Sequence, residues 1–138
     1  MAKVLVVDHE RRIRKWLTDS LGKAGYEVVE AENGATALEM ASRQQIDLIL
    51  LDDALPRMDG WQVLTKLKED SQMQRIPVVI LTAFPSFEIE ATGIRLGAAH
   101  VLSKPCRTES LETTVRVALR EAERSGGDVR PSNVEPED

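Results

Sequence analysis

Five short apolar runs, each followed by a stretch of helical periodicity, predict an α/β domain with a parallel five-stranded sheet covered by helices on both faces. The central run lies in DLILLDDALPRMDG, Asp47 to Gly60, where Leu48 to Leu51 show no polar alternation, as expected for a strand buried on both sides. Four of the runs give way to a chemically specific residue, namely Asp8, Asp52, Thr82 and Lys104. That pattern gathers reactive groups at the carboxyl edge of the sheet, which is where open α/β sheets bind ligands.

In chain order, Lys3 to Val7 (KVLVV) is a β-branched strand ending at Asp8. From Glu10 onward Ile13, Trp16, Leu17, Leu21 and Ala24 recur at helical spacing, and Gly25 is a helix stop. Glu27 to Ala31 (EVVEA) is a weaker strand suited to a sheet edge, followed by a turn at Asn33 and Gly34 and a helix of small residues through Leu38 and Ala41. After the central strand, Asp52 is expected to be the first residue to leave the sheet. Pro56 prevents the strand from continuing, and Asp59 and Gly60 lead into a helix carrying Val63, Leu64 and Leu67. Glu69 to Arg75 reads as polar loop, and Pro77 opens the apolar run PVVIL that ends at Thr82. A helix from about Phe87 stops near Gly97, and His100 to Ser103 forms the fifth strand. The last helix carries Leu111, Val115, Ala118, Leu119 and Ala122, with Thr108 expected as its cap.

Right-handed crossovers leave few strand orders open, and the flavodoxin-like order 2-1-3-4-5 is favoured at this length. Asp8 and Asp52 then share one crevice. Residues 1–124 are expected to form one domain, and SGGDVRPSNVEPED at 125–138 a disordered tail or linker, because so few apolar groups cannot offset the entropy of ordering.

The chain has 138 residues and a net charge of -5, which argues against nucleic-acid binding by bulk electrostatics. Its single cysteine, Cys106, permits no internal disulfide, and a reducing, cytoplasmic setting is expected. No run approaches the length of a membrane span.

Asp8 with His9, Asp52 with Asp53, Thr82 and Lys104 make a site for a hard cation and an oxyanion. Clustered carboxylates repel unless a cation intervenes, magnesium takes oxygen ligands, and a lysine and a hydroxyl hold phosphoryl oxygens. The chemistry indicated is phosphoryl transfer onto an aspartate. A haloacid-dehalogenase-type phosphatase would need a second acid where Ala54 stands, and a flavodoxin would need a hydroxyl-rich loop in place of DHERRIR. Gly22 and Lys23 lack the upstream glycine of a P-loop.

VLVVDHE, DLILLDDALPRMDG, VVILTAF and LSKPC, in that order and spacing, resemble the motifs of the receiver domains of two-component response regulators. The resemblance implies a signalling module rather than an enzyme, phosphorylated on Asp52 by a histidine kinase or a histidine phosphotransfer protein. It implies magnesium held by Asp8, Asp52 and the backbone carbonyl of Ala54, with Thr82 and Lys104 contacting the phosphoryl group. The signal then passes to the face of the fourth helix, fifth strand and fifth helix, which engages a downstream protein or a second copy in a homodimer. The Lys104 to Pro105 peptide is expected to be cis. The first helix, with Arg11, Arg14 and Lys15, is expected to dock the phosphodonor, against the plainer reading of a solvated basic face.

Three positions depart from the family pattern. His9 stands where a second acid usually ligates magnesium, which points to weak magnesium binding and to Mn2+ as an alternative ion. Val101, on the expected partner face, replaces a common aromatic switch residue, and Cys106 replaces a frequent phenylalanine. His9 also sustains a second reading, a pseudo-receiver that acts as an unphosphorylated interaction module.

Overall fold

The computed structural model describes residues 1–124, so the expected tail at 125–138 lies outside the described residues. Strands β1 (Lys3–Val7), β2 (Glu27–Ala31), β3 (Leu48–Asp52), β4 (Val78–Thr82) and β5 (His100–Ser103) alternate with helices α1 (Arg11–Lys23), α2 (Gly34–Arg43), α3 (Gly60–Glu69), α4 (Phe87–Arg95) and α5 (Thr108–Ala122). All strand pairs are parallel, in the order β2-β1-β3-β4-β5. The expected flavodoxin-like order is the one observed.

The two-residue period of a strand divides the core between the sheet's faces. Leu5, Val7, Ile49, Leu51, Val78 and Ile80 pack with Ala37 and Ala41 of α2 and with Val63, Leu64 and Leu67 of α3. Val4, Val6, Leu48, Leu50, Val79 and Leu81 pack with Leu17 and Leu21 of α1 and with Leu111, Val115 and Ala118 of α5. Both faces are thus covered, which is why β1, β3 and β4 carry no polar alternation.

Side-chain caps explain several helix starts. Asn33 accepts the Thr36 N–H at 2.8 Å, Ser86 accepts the Ile89 N–H, and Asp59 and Gln62 form a reciprocal capping box. Gly25 and Gly97 end α1 and α4 in the left-handed region, at φ 99° and 106°.

Three local expectations are corrected. Thr108 is the first helical residue of α5, and the capping position falls to Arg107, which makes no side-chain cap bond. Ala24 is exposed beyond the end of α1 rather than part of its buried face. Asp52 does not leave the sheet: it is the last residue of β3, paired with Leu81, because β4 extends far enough to hold it.

Candidate functional site

The register sets the edge on which the reactive residues meet. Val7 of β1 pairs with Leu51 of β3, so the following residues, Asp8 and Asp52, reach the carboxyl edge side by side. Thr82 pairs with Ser103, which puts Lys104 one residue beyond the edge on the next strand. Backbone bonds fix these ends: the Asp8 N–H donates to Ala31 O, Asp53 N–H to Leu81 O, and Lys104 N–H to Thr82 O. The Lys104–Pro105 peptide is cis, as the family resemblance implied.

Asp8 and Asp52 are fully buried, and the Lys104 ammonium bridges them, 2.6 Å from Asp8 Oδ2 and 3.0 Å from Asp52 Oδ1. The Ala54 N–H also donates to Asp52 Oδ1, at 3.0 Å, and the Glu10 N–H donates to Asp8 Oδ1 at 2.9 Å. His9 Nδ1 lies 2.7 Å from Asp52 Oδ2 and 3.9 Å from Asp8 Oδ1. Lys104 therefore engages one oxygen of each carboxylate, and His9 faces the other oxygen of each.

The charges respond to this arrangement. Burial pushes the Asp8 carboxyl above its ordinary value, against the Lys104 and Glu10 hydrogen bonds that lower it, and nearby Asp52 adds to the rise. Burial acts on Asp52 in the same direction. There the hydrogen bonds from Ala54, His9 and Lys104, with the lysine's charge, outweigh it and hold the carboxyl below its usual range. Burial alone would lower Lys104, but its bonds to Asp8 and Asp52 raise it. Asp52 is thereby kept as a carboxylate, the form that can act as a nucleophile.

Asp8, His9 and Asp52 each offer one ligand atom, and the three atoms lie within 4.8 Å of one another. Two carboxylates and an imidazole suit a divalent ion that accepts both oxygen and nitrogen; magnesium is served by the oxygens alone.

Among the other predicted residues, Thr82 is fully buried at the end of β4, where its hydroxyl accepts the Phe84 N–H at 3.1 Å and its carbonyl receives Lys104. Ala54 reaches the cluster through its N–H. Arg11 is exposed, and exposed Lys15 pairs with Asp19 within α1. Arg14 is engaged internally, donating to the Asp8 carbonyl at 2.8 Å and to Glu30 at 3.3 Å, so it steadies the end of β1. That role escaped the sequence because β2 meets α1 only in the folded chain.

Val101 of β5 is half-buried beneath α4, and with Phe87, Glu90, Ala91, Ile94, Arg95 and His100 it lines a shallow concavity. Phe84, Phe87 and Ile94 are exposed nearby. Cys106 is half-buried among apolar groups, and burial pushes its thiol up, away from the reactive thiolate.

Gly60 is a further site residue that sequence reasoning recorded only as a turn. Its N–H donates to Asp53 O, and a Cβ there would run into the Asp52 carbonyl, with Asp53 Cα 2.7 Å away. The signal was the DG pair before α3, but only the packing shows what it lies against.

The family described as "Response regulator receiver domain" matches residues 4–116. Among curated proteins, the chain is 38% identical over 121 residues to "Probable transcriptional regulator ycf27" of Cyanophora paradoxa, covering 88% of this chain and 49% of that protein. It is 37% identical over 122 residues to "Transcriptional regulatory protein PcoR" of Escherichia coli, covering 88% of this chain and 53% of that protein. The chain thus spans about half the length of the curated relatives it matches. Among solved structures, the chemotaxis protein CheY4 of Vibrio cholerae superposes with a TM-score of 0.81 at 36% identity, covering 86% of this chain and 98% of that one. NtrX from Brucella abortus gives a TM-score of 0.84 at 30% identity, covering 94% of this chain and 30% of that one.

Proposed function

The chain belongs to the response regulator receiver family of two-component systems, and on that basis we propose that it accepts a phosphoryl group on Asp52. The observation that carries this reading is the state of Asp52: a fully buried carboxylate at the end of the central strand, kept ionised by Ala54, His9 and Lys104. In the reaction an Asp52 oxygen forms a bond to phosphorus while the bond from phosphorus to the donor's imidazole nitrogen breaks. The donor nitrogen keeps the electron pair. Lys104, already between the carboxylates, is placed to take charge that develops on the phosphoryl oxygens.

The phosphodonor is a histidine kinase or a phosphotransfer protein, met by the α1 face through Arg11 and Lys15, with Arg14 steadying the site from beneath. Asp8, Asp52 and the Ala54 carbonyl would hold a divalent cation, with His9 as a further ligand. When bound, that ion supplies charge neutralisation for the incoming phosphoryl group. Thr82 contacts the transferred group and relays its arrival to α4, β5 and α5. There Val101 and the exposed Phe84, Phe87 and Ile94 offer a surface for a downstream protein or a second copy. Residues 1–124 are the receiver unit, and 125–138 serve as a tail or linker. No helix among the described residues is long and apolar enough to cross a membrane, and the setting proposed is cytoplasmic.

Incubation with acetyl phosphate and a divalent cation is expected to add one phosphate by intact mass, lost in Asp52→Asn. Modification of Asp52→Asn to the same extent would overturn the assignment. One observation favours the pseudo-receiver reading, the His9 bond on Asp52 Oδ2. Under that reading neither protein is modified with any cation.

A further inference from the structure

The two carboxylates divide their four oxygens between two partners. Asp8 Oδ2 and Asp52 Oδ1 face Lys104, whereas Asp8 Oδ1 and Asp52 Oδ2 face His9. A cation on the His9 side can therefore reach one oxygen of each acid with Lys104 still in place. The third ligand atom on that side is the imidazole Nδ1.

His9 also encumbers the Asp52 oxygen that the ion would take. Asp52 Oδ1 is held twice, by the Ala54 N–H and by Lys104. Oδ2 is held by His9, whose ring nitrogen lies at 2.7 Å and whose backbone N–H lies at 3.5 Å. An ionised carboxylate only accepts, so Nδ1 carries the proton of this bond. For Nδ1 to ligate an ion instead, that proton must pass to Nε2, and water can carry it because the side chain is 41% exposed. An ion that accepts imidazole nitrogen thus gains a third ligand and replaces the hydrogen bond on Oδ2. Magnesium, which favours oxygen and dehydrates reluctantly, gains two oxygens and draws much less on the ring.

We propose that His9 selects the cation of this site, holding Asp52 Oδ2 in a hydrogen bond until a divalent transition-metal ion, of the manganese or cobalt class, takes its Nδ1. The site then has a mixed oxygen and nitrogen donor set, and the identity of the ion decides how fully the site is loaded when the phosphodonor arrives. This rests on the reading of Asp52 as the phosphoacceptor, although its metal-binding half can be measured alone.

The test uses the full chain, His9→Asp and His9→Gln, titrated calorimetrically with MgCl2 and with MnCl2. His9→Gln removes the nitrogen without adding charge. His9→Asp makes the donor set all oxygen. The preference for Mn2+ over Mg2+ is expected to be at least about tenfold greater in the parent than in either variant, since ligand type sets such preferences. Electron spin echo modulation of bound Mn2+ is expected to show a coordinated imidazole nitrogen in the parent and in neither variant. Acetyl phosphate labelling of Asp52 is expected to be faster with Mn2+ than with Mg2+ in the parent, and faster with Mg2+ in His9→Asp than in the parent. Equal preference ratios in all three proteins, or no nitrogen modulation in the parent, would overturn the proposal. Labelling that then proceeds normally would leave Asp52 as the phosphoacceptor. Nitrogen modulation with no labelling under either ion would instead sustain His9 as a ligand and defeat the phosphoacceptor reading.

Discussion

Gly60 shows how tightly the backbone behind Asp52, the proposed phosphoacceptor, is packed. The position where a Cβ would lie is filled by the Asp52 carbonyl and the Asp53 Cα, which are main-chain atoms and cannot rotate away. Gly60→Ala is therefore expected to cost about 2 kcal/mol or more in urea unfolding, at the upper part of the range for overpacking a dense interior. It should also slow labelling of Asp52, because the clash is relieved only by moving the end of β3. An unchanged unfolding midpoint would show that the loop after Asp52 yields without strain. Arg57, in the same loop, adopts φ 66°, so this turn already holds one residue in a conformation that L side chains disfavour.

At the scale of elements, α4 meets β5 through a contact made without a side chain on one partner. Gly93 is buried in α4, and a Cβ there would lie 2.7 Å from Val101 Cγ2, with Trp61 and Ala98 at ordinary contact distances. Two effects oppose each other. Alanine is favoured over glycine in a helix by about 0.8 to 1.0 kcal/mol, whereas overpacking costs about 1 to 3 kcal/mol. Gly93→Ala is accordingly expected to destabilise the parent and to become neutral or stabilising in a Val101→Ala background. A double-mutant cycle by chemical denaturation measures this change of sign. Additive effects would mean that Val101 is not what confines α4. The same contact is where the proposed relay toward the exposed Phe87 and Ile94 would pass.

For the whole molecule, the buried charges tie stability to pH. Lys104 binds its proton more tightly when folded, because its bonds to Asp8 and Asp52 outweigh burial. Its contribution is complete below the unfolded value of 10.5 and is lost as pH rises through the higher folded value. Lys68 runs the other way: burial lowers its pKa, so the folded state gains relative stability as pH climbs toward 10.5. In acid the carboxylates also oppose each other. Asp8, pushed up, regains stabilisation as pH falls from its raised folded value to 3.8, whereas Asp52, held down, loses it as pH falls further. Urea unfolding followed upward from pH 10.5, where the gain from Lys68 is complete, is expected to show stability falling. In the Asp8→Asn, Asp52→Asn double variant, Lys104 has no carboxylate to lose and that fall should shrink. A fall of equal size in both proteins would assign the alkaline loss to other groups.

Apolar periodicity, strand-end chemistry and turn residues determined from the sequence alone that five strands and five helices alternate, and that Asp8, Asp52, Thr82 and Lys104 end strands on one edge. Those features are local, because a strand's burial on two faces and a helix's apolar stripe are written in neighbouring residues. The tertiary structure alone decided which oxygens face which partners. Lys104 lies 96 residues from Asp8 and His9 lies 43 from Asp52, so their bonds exist only through the register of β1, β3 and β5. It likewise turned Arg14 inward, since Glu30 comes within reach only when β2 pairs with β1. It kept Asp52 within the sheet, because the neighbouring strand supplied Leu81 as its partner. Pairing between distant segments has no signature in either segment taken alone, and the chemistry of this site depends on such pairings.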